Sequence, residues 1–125
     1  MVTFKDSDNH RTETVHTVGY AGHNRMMDGV PLPIIKPKNR PAPRPAFVLA
    51  CLSQQYFEKS MKRDGVPEIV MTRTYMAPEA YVIDATLRGI GANLERDALR
   101  MEVVRAYAKW QRIEVDVAGA TFAKL

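Results

Sequence analysis

Apolar residues recur along the chain with two different periods, and the change of period marks out the elements. Val15 to Gly22 reads as a strand: Val15, Val18 and Tyr20 supply β propensity, while Gly19, Ala21 and Gly22 leave room for close backbone approach. Ala46 to Ala50 is a second apolar run without polar interruption, the pattern of a strand covered on both faces. A stripe of Tyr56, Phe57, Ser60 and Met61 predicts a helix from Gln54 to about Arg63, with Ser53 as N-cap and Asp64-Gly65 as its stop. Pro67 to Arg73 reads as a third strand. Strand, helix and strand within roughly 30 residues form a βαβ unit, which implies parallel strands and a right-handed crossover.

The second half has a helical period. Pro78 suits the first turn of a helix from Ala77 to about Gly89, whose buried side includes Tyr81, Ala85 and Leu87. Gly89-Ile-Gly91 predicts a break. Leu94, Ala98, Met101, Val104 or Arg105, and Ala108 then predict a longer helix from Leu94 to about Gln111, with Tyr107 and Trp110 as core or partner contacts. Ile113-Glu-Val-Asp-Val117 alternates and predicts a last, half-exposed edge strand. The expected fold is α/β, a mostly parallel sheet flanked by helices. At 125 residues the chain makes one domain, placed over 15–118, with a polar arm over 1–14 and a tail over 119–125.

Composition narrows this only in places. Hydrophobic content of 46% and charged content of 26% exclude global disorder. No apolar run is long enough to span a membrane, and the N-terminal residues lack the apolar stretch of a signal peptide. The single cysteine allows no internal disulfide, and a cytoplasmic setting is expected. The net charge of +4 is carried by residues 31–45, where Lys36, Lys38, Arg40 and Arg44 stand with no acid among six of the eight prolines. That segment reads as a solvated loop. A nucleic-acid surface is disfavoured because no aromatics interleave to stack bases, and an anionic ligand is the remaining option.

The candidate chemistry lies where the two apolar runs end, at His23 and Cys51. On neighbouring parallel strands both side chains reach one carboxyl edge, where open α/β sheets place their sites. Thiol and imidazole there make a nucleophile and its acid–base partner. The backbone N–H groups of Cys51 and Asn24 are the candidates for an oxyanion hole. Asp28, in the Met-Met-Asp-Gly turn, is a turn residue or a carboxylate facing substrate. His10 and His16 read as structural or solvated. Three histidines and one cysteine match no zinc spacing, so no metal and no cofactor are expected.

Tyr20-Ala-Gly-His-Asn24 resembles the segment around the catalytic histidine of metacaspases and other caspase-like peptidases, and Leu49-Ala-Cys-Leu-Ser53 resembles their next strand. Histidine before cysteine on consecutive strands is the order of the caspase, legumain and gingipain group; papain-like enzymes have the reverse. The resemblance covers roughly Val15 to Arg88. It implies a caspase-like three-layer sandwich and cysteine-dependent hydrolysis of a peptide or protein substrate through an acyl-enzyme thioester. Thr74, Tyr75 and Met76 would then line the pocket for the residue before the cut, and Glu79 would support a helix start. Asn24 stands where the family usually has glycine. Such domains also carry strands before the histidine strand, so the chain reads as a catalytic half lacking the first strands. A second copy or a partner chain would complete the sheet. The alternative is a non-catalytic interaction module of the same fold, a pseudo-enzyme or one part of a split domain.

Overall fold

The computed structural model describes residues 2–6, 9–13, 15–31, 42–77 and 79–125. Pro78 and most of the proline-rich loop, including Lys36, Lys38 and Arg40, lie outside the described residues. The polar arm forms an antiparallel hairpin of β1 (Val2–Asp6) and β2 (Asn9–Glu13). A separate three-stranded sheet follows, with β3 (Val18–Ala21), β4 (Ala46–Leu49) and β5 (Glu68–Val70) in that spatial order and parallel throughout. The β4–β5 link is the expected βαβ unit, crossing through α1 (Ser53–Arg63). The mixed α/β class follows directly.

Alternation along β4 divides the core. Phe47 and Leu49 face a cluster with Val70, Val82, Leu99, Val103, Val104 and Phe122. Val48 and Ala50 face Met61 of α1, with Met71 and Ala123. Helices therefore cover both faces of β4, which is why its sequence shows no polar interruption. Gly19 of β3 lies under the Phe47 ring, and a Cβ there would come within 2.0 Å of it. Just past the carboxyl end of α1, Gly65 adopts left-handed backbone at φ 69, and its N–H and that of Val66 donate to the carbonyls of Lys62 and Met61. The Asp64-Gly65 stop is therefore a Schellman ending.

The helical half departs from expectation in three places. Gly89-Ile-Gly91 does not break the chain: α2 (Ala80–Gly91) runs through it. Gly89 is instead a close contact, since a Cβ there would meet Leu99 of α3 (Arg96–Gln111) at 2.3 Å. Leu87, expected on the buried side of α2, is exposed, and Val82 and Thr86 are buried instead. Most consequentially, the stretch from Ile113 to Val117 is not a strand. Arg112 takes a left-handed conformation that ends α3, and α4 (Val115–Gly119) follows with Ala118 buried and Val115 and Val117 exposed. The alternation reflected three partly exposed apolar residues rather than one face of a sheet.

That short helix redirects the chain into the core, so residues 119–125 are not a tail. Thr72 and Phe122 form an antiparallel bridge, flanked by hydrogen bonds from Arg73 N–H to Thr121 O and from Ala123 N–H to Met71 O. Phe122 is fully buried, edge-on to Tyr107 at 5.4 Å. Arg100 holds the segment by donating to the carbonyls of Gly119 (2.6 Å) and Phe122. Tyr107 is thus a core residue, whereas Trp110 is exposed and stacked on Tyr81 at 6.0 Å. No helix among the described residues is long and apolar enough to cross a membrane.

Candidate active site

The strands β3 and β4 stay paired to their carboxyl ends, where Gly22 N–H donates to Leu49 O at 3.1 Å. Beyond that point β3 continues into His23 and Asn24, and β4 into Cys51. The two loops therefore leave the same edge of the sheet side by side.

The histidine loop is short and locally built. Tyr20 donates its hydroxyl to His23 O at 2.8 Å. Asn24 caps a 3₁₀ turn over Arg25–Asp28, its Oδ1 accepting from Met26 N–H at 3.1 Å. Gly29 closes the turn in a left-handed conformation. The turn carries the Asp28 carboxylate back to His23, with Oδ2 2.7 Å from Nε2. The side chains of His23 and Asp28 are 62% and 56% exposed. Asp28 thus partners the imidazole, a role not anticipated for it.

The cysteine loop is built differently. Cys51 is a free, half-buried thiol. Its Sγ lies 3.4 Å from Met76 N and 3.5 Å from Met76 O. A thiol in this place donates to the carbonyl, and a thiolate accepts from the N–H. Leu52 follows in a left-handed conformation, φ 53, and donates its N–H to Thr74 O at 3.0 Å. Ser53 opens α1 but does not cap it. Its hydroxyl is buried, donates to Val48 O at 2.8 Å and accepts from Thr72 N–H at 2.8 Å. Thr72 reciprocates by accepting from Ser53 N–H at 3.0 Å and donating to Ala50 O. A cap would have left the buried Val48 carbonyl and Thr72 N–H without this partner, so the hydroxyl is used where desolvation costs most.

One side chain spans the two loops. Asn24 is fully buried, and its Nδ2 donates to Cys51 O at 2.8 Å. Among the described residues, the hydrogen bonds of Sγ go to Met76 and none joins Sγ to the His23 ring. The backbone N–H groups of Cys51 and Asn24 have no acceptor among the described residues.

Of the residues expected to line a pocket, Met76 is buried with its main chain against the thiol, while Thr74 and Tyr75 are exposed. Thr74 Oγ1 donates to Tyr75 O. Glu79 stands at the N-cap of α2. His16 is exposed and bonded to Thr17, and His10 lies in β2. No group of three metal-ligating side chains occurs among the described residues.

Sequence reasoning missed the Asn24 bridge, the Ser53–Thr72 ring and the contact of Met76 with Cys51. The asparagine cap had a local signal, a polar residue two before Met26 in a turn-forming stretch. The other contacts join residues 19 to 27 positions apart and left no local trace. Comparison with family models, curated proteins and solved structures finds no match to this chain.

Proposed function

We propose that the chain is a caspase-like cysteine peptidase module in which Cys51 is the nucleophile, His23 the acid–base group and Asp28 the residue that orients the imidazole. The observation that carries this reading is the delivery of His23 and Cys51 by two adjacent parallel strands to one edge, with their loops joined through Asn24. Helices on both faces of β4 agree with the three-layer arrangement that the reading requires.

With Nε2 engaged by Asp28, Nδ1 is the ring nitrogen left for proton transfer. The Cys51 thiolate attacks the scissile carbonyl, forming the S–C bond, and the oxyanion is met by the N–H of half-buried Cys51; Asn24, expected to share that role, is fully buried and closed to substrate. The C–N bond then breaks as the imidazolium protonates the leaving amine. Water, deprotonated by the neutral imidazole, cleaves the thioester and restores the thiol. The substrate is a peptide or protein, and no cofactor takes part.

Iodoacetamide labelling tests the reading. An activated Cys51 labels faster near neutral pH than a free thiol, and His23→Ala slows it. Equal, slow labelling of both proteins would overturn the peptidase assignment.

A second reading has its own observation. Val18 and Tyr20 of β3 are exposed and line an apolar groove with Ala46, Val48, Phe57 and Met61. α1 covers β4 on this side but leaves β3 open, as a non-catalytic module completed by another chain would have it. A monomer at high concentration, measured by sedimentation, counts against that reading in its self-associating form.

A further inference from the structure

Leu52 is conformationally out of place. Of the described non-glycine residues, three have positive φ: Leu52, Asn93 and Arg112. Asn93 and Arg112 follow the ends of α2 and α3, where left-handed backbone is the common way to close a helix. Leu52 instead stands at the start of α1. The residues in that position before the 3₁₀ turn, α2, α3 and α4 (Asn24, Glu79, Glu95 and Glu114) are all extended. A leucine in the left-handed region is strained by its Cβ, so something must hold it there.

The peptide unit between Cys51 and Leu52 is gripped at both ends. Its carbonyl accepts from Asn24 Nδ2 at 2.8 Å, and its N–H donates to Thr74 O at 3.0 Å. Turning that peptide over would relieve Leu52 and break both bonds. Asn24 is fully buried, and its other amide atom is occupied by Met26 N–H. One amide therefore fixes both the turn that carries Asp28 and the peptide that follows the thiol.

We propose that the Asn24 side chain is a positioning residue for Cys51: it clasps the Cys51–Leu52 peptide in its strained form and so sets the direction of the thiol relative to the histidine loop. The inference rests on the peptidase reading for its purpose, but the clasp itself has an independent readout. Asparagine here, in place of glycine, supplies a bond that glycine lacks.

The test uses Asn24→Ser, which keeps a hydroxyl to cap Met26 N–H but is too short to reach Cys51 O. Two quantities are read in the full chain: hydrogen exchange of the Leu52 amide, and the rate of Cys51 alkylation by iodoacetamide across pH. Asn24→Ser is expected to speed Leu52 exchange and to lower the alkylation plateau by about tenfold, the scale of one left-handed leucine. The midpoint of the pH profile stays in place, because the clasp acts through geometry rather than charge. Adding Leu52→Gly, which removes the strain, restores the plateau. Leu52→Val, with Asn24 intact, resists the left-handed form and reproduces the loss, and it decides the matter if Asn24→Ser does not fold. Unchanged exchange in Asn24→Ser, an unchanged plateau in either single variant, or no rescue by Leu52→Gly overturns the proposal. Equal, slow labelling of wild type and His23→Ala sinks the peptidase reading instead, and Leu52 exchange still reports on the clasp.

Discussion

The two halves of the candidate site are held in opposite ways. On the thiol side, Ser53 and Thr72 are fully buried and exchange hydrogen bonds between the segments that follow β4 and β5, and the last residues of the chain join Thr72 through the Phe122 bridge. On the imidazole side, an exposed histidine and an exposed aspartate meet on a four-residue 3₁₀ turn. The thiol is thus set by long-range structure and the imidazole by local structure. Damage to the first should appear as lost stability, and damage to the second as lost reactivity in a protein that remains folded.

The largest expected effect joins the halves. Gly19→Ala puts a Cβ into the Phe47 ring between β3 and β4, costing about 3 kcal/mol as overpacking and displacing the histidine strand. Urea unfolding and the labelling rate of Cys51 should both fall. A result confined to stability would mean that β3 shifts without moving His23. Thr72→Val comes next. It leaves Ser53 N–H without its buried acceptor and should cost roughly 2 kcal/mol in urea unfolding. Little loss there would refute the idea that the thiol side is anchored by this ring.

Glu68, at the amino end of β5, serves as a control distant from the chemistry. It is buried with Oε1 unpaired among the described residues, and burial pushes its carboxyl above the ordinary value of 4.5. Glu58 adds to the rise, while Lys62 and Arg96 oppose it. A raised acid stabilises the fold most below the unfolded value and loses that contribution as pH climbs through the folded one. Glu68→Gln should therefore raise Tm at neutral pH, lose the gain below pH 4.5, and leave Cys51 labelling untouched. A Tm gain that persists undiminished in acid would contradict this.

The smallest effect on stability belongs to Asp28→Asn. A histidine–carboxylate contact this exposed contributes under about 0.5 kcal/mol, so unfolding should hardly change. Labelling should still slow several-fold, because the carboxylate fixes the ring. Unfolding that follows labelling downward would mean the loop matters to the whole fold.

Legibility in the sequence followed the range of the forces involved. β3, β4, α1 and β5 announced themselves because their patterns record burial on adjacent elements, and Gly65 marks the end of α1 by its backbone alone. The stretch Ile113 to Val117 misled because apolar alternation is informative only when one face is covered, and here Val115 and Val117 are exposed. Gly89 misled for the converse reason: it serves close helix contact rather than a break. At the site, His23 and Cys51 could be found as strand endings. Ser53 could not be read correctly, since its polar partner, Thr72, becomes a neighbour only once β5 is in place.

A last consequence follows from strand order. β4 lies in the middle of its sheet, whereas β3 is hydrogen-bonded to β4 alone among the described strands. Fraying starts where a ladder has one rail, so brief opening would carry His23 away while Cys51 stays seated. Anything that docks along that outer rail would suppress the fraying and keep the imidazole on station for longer.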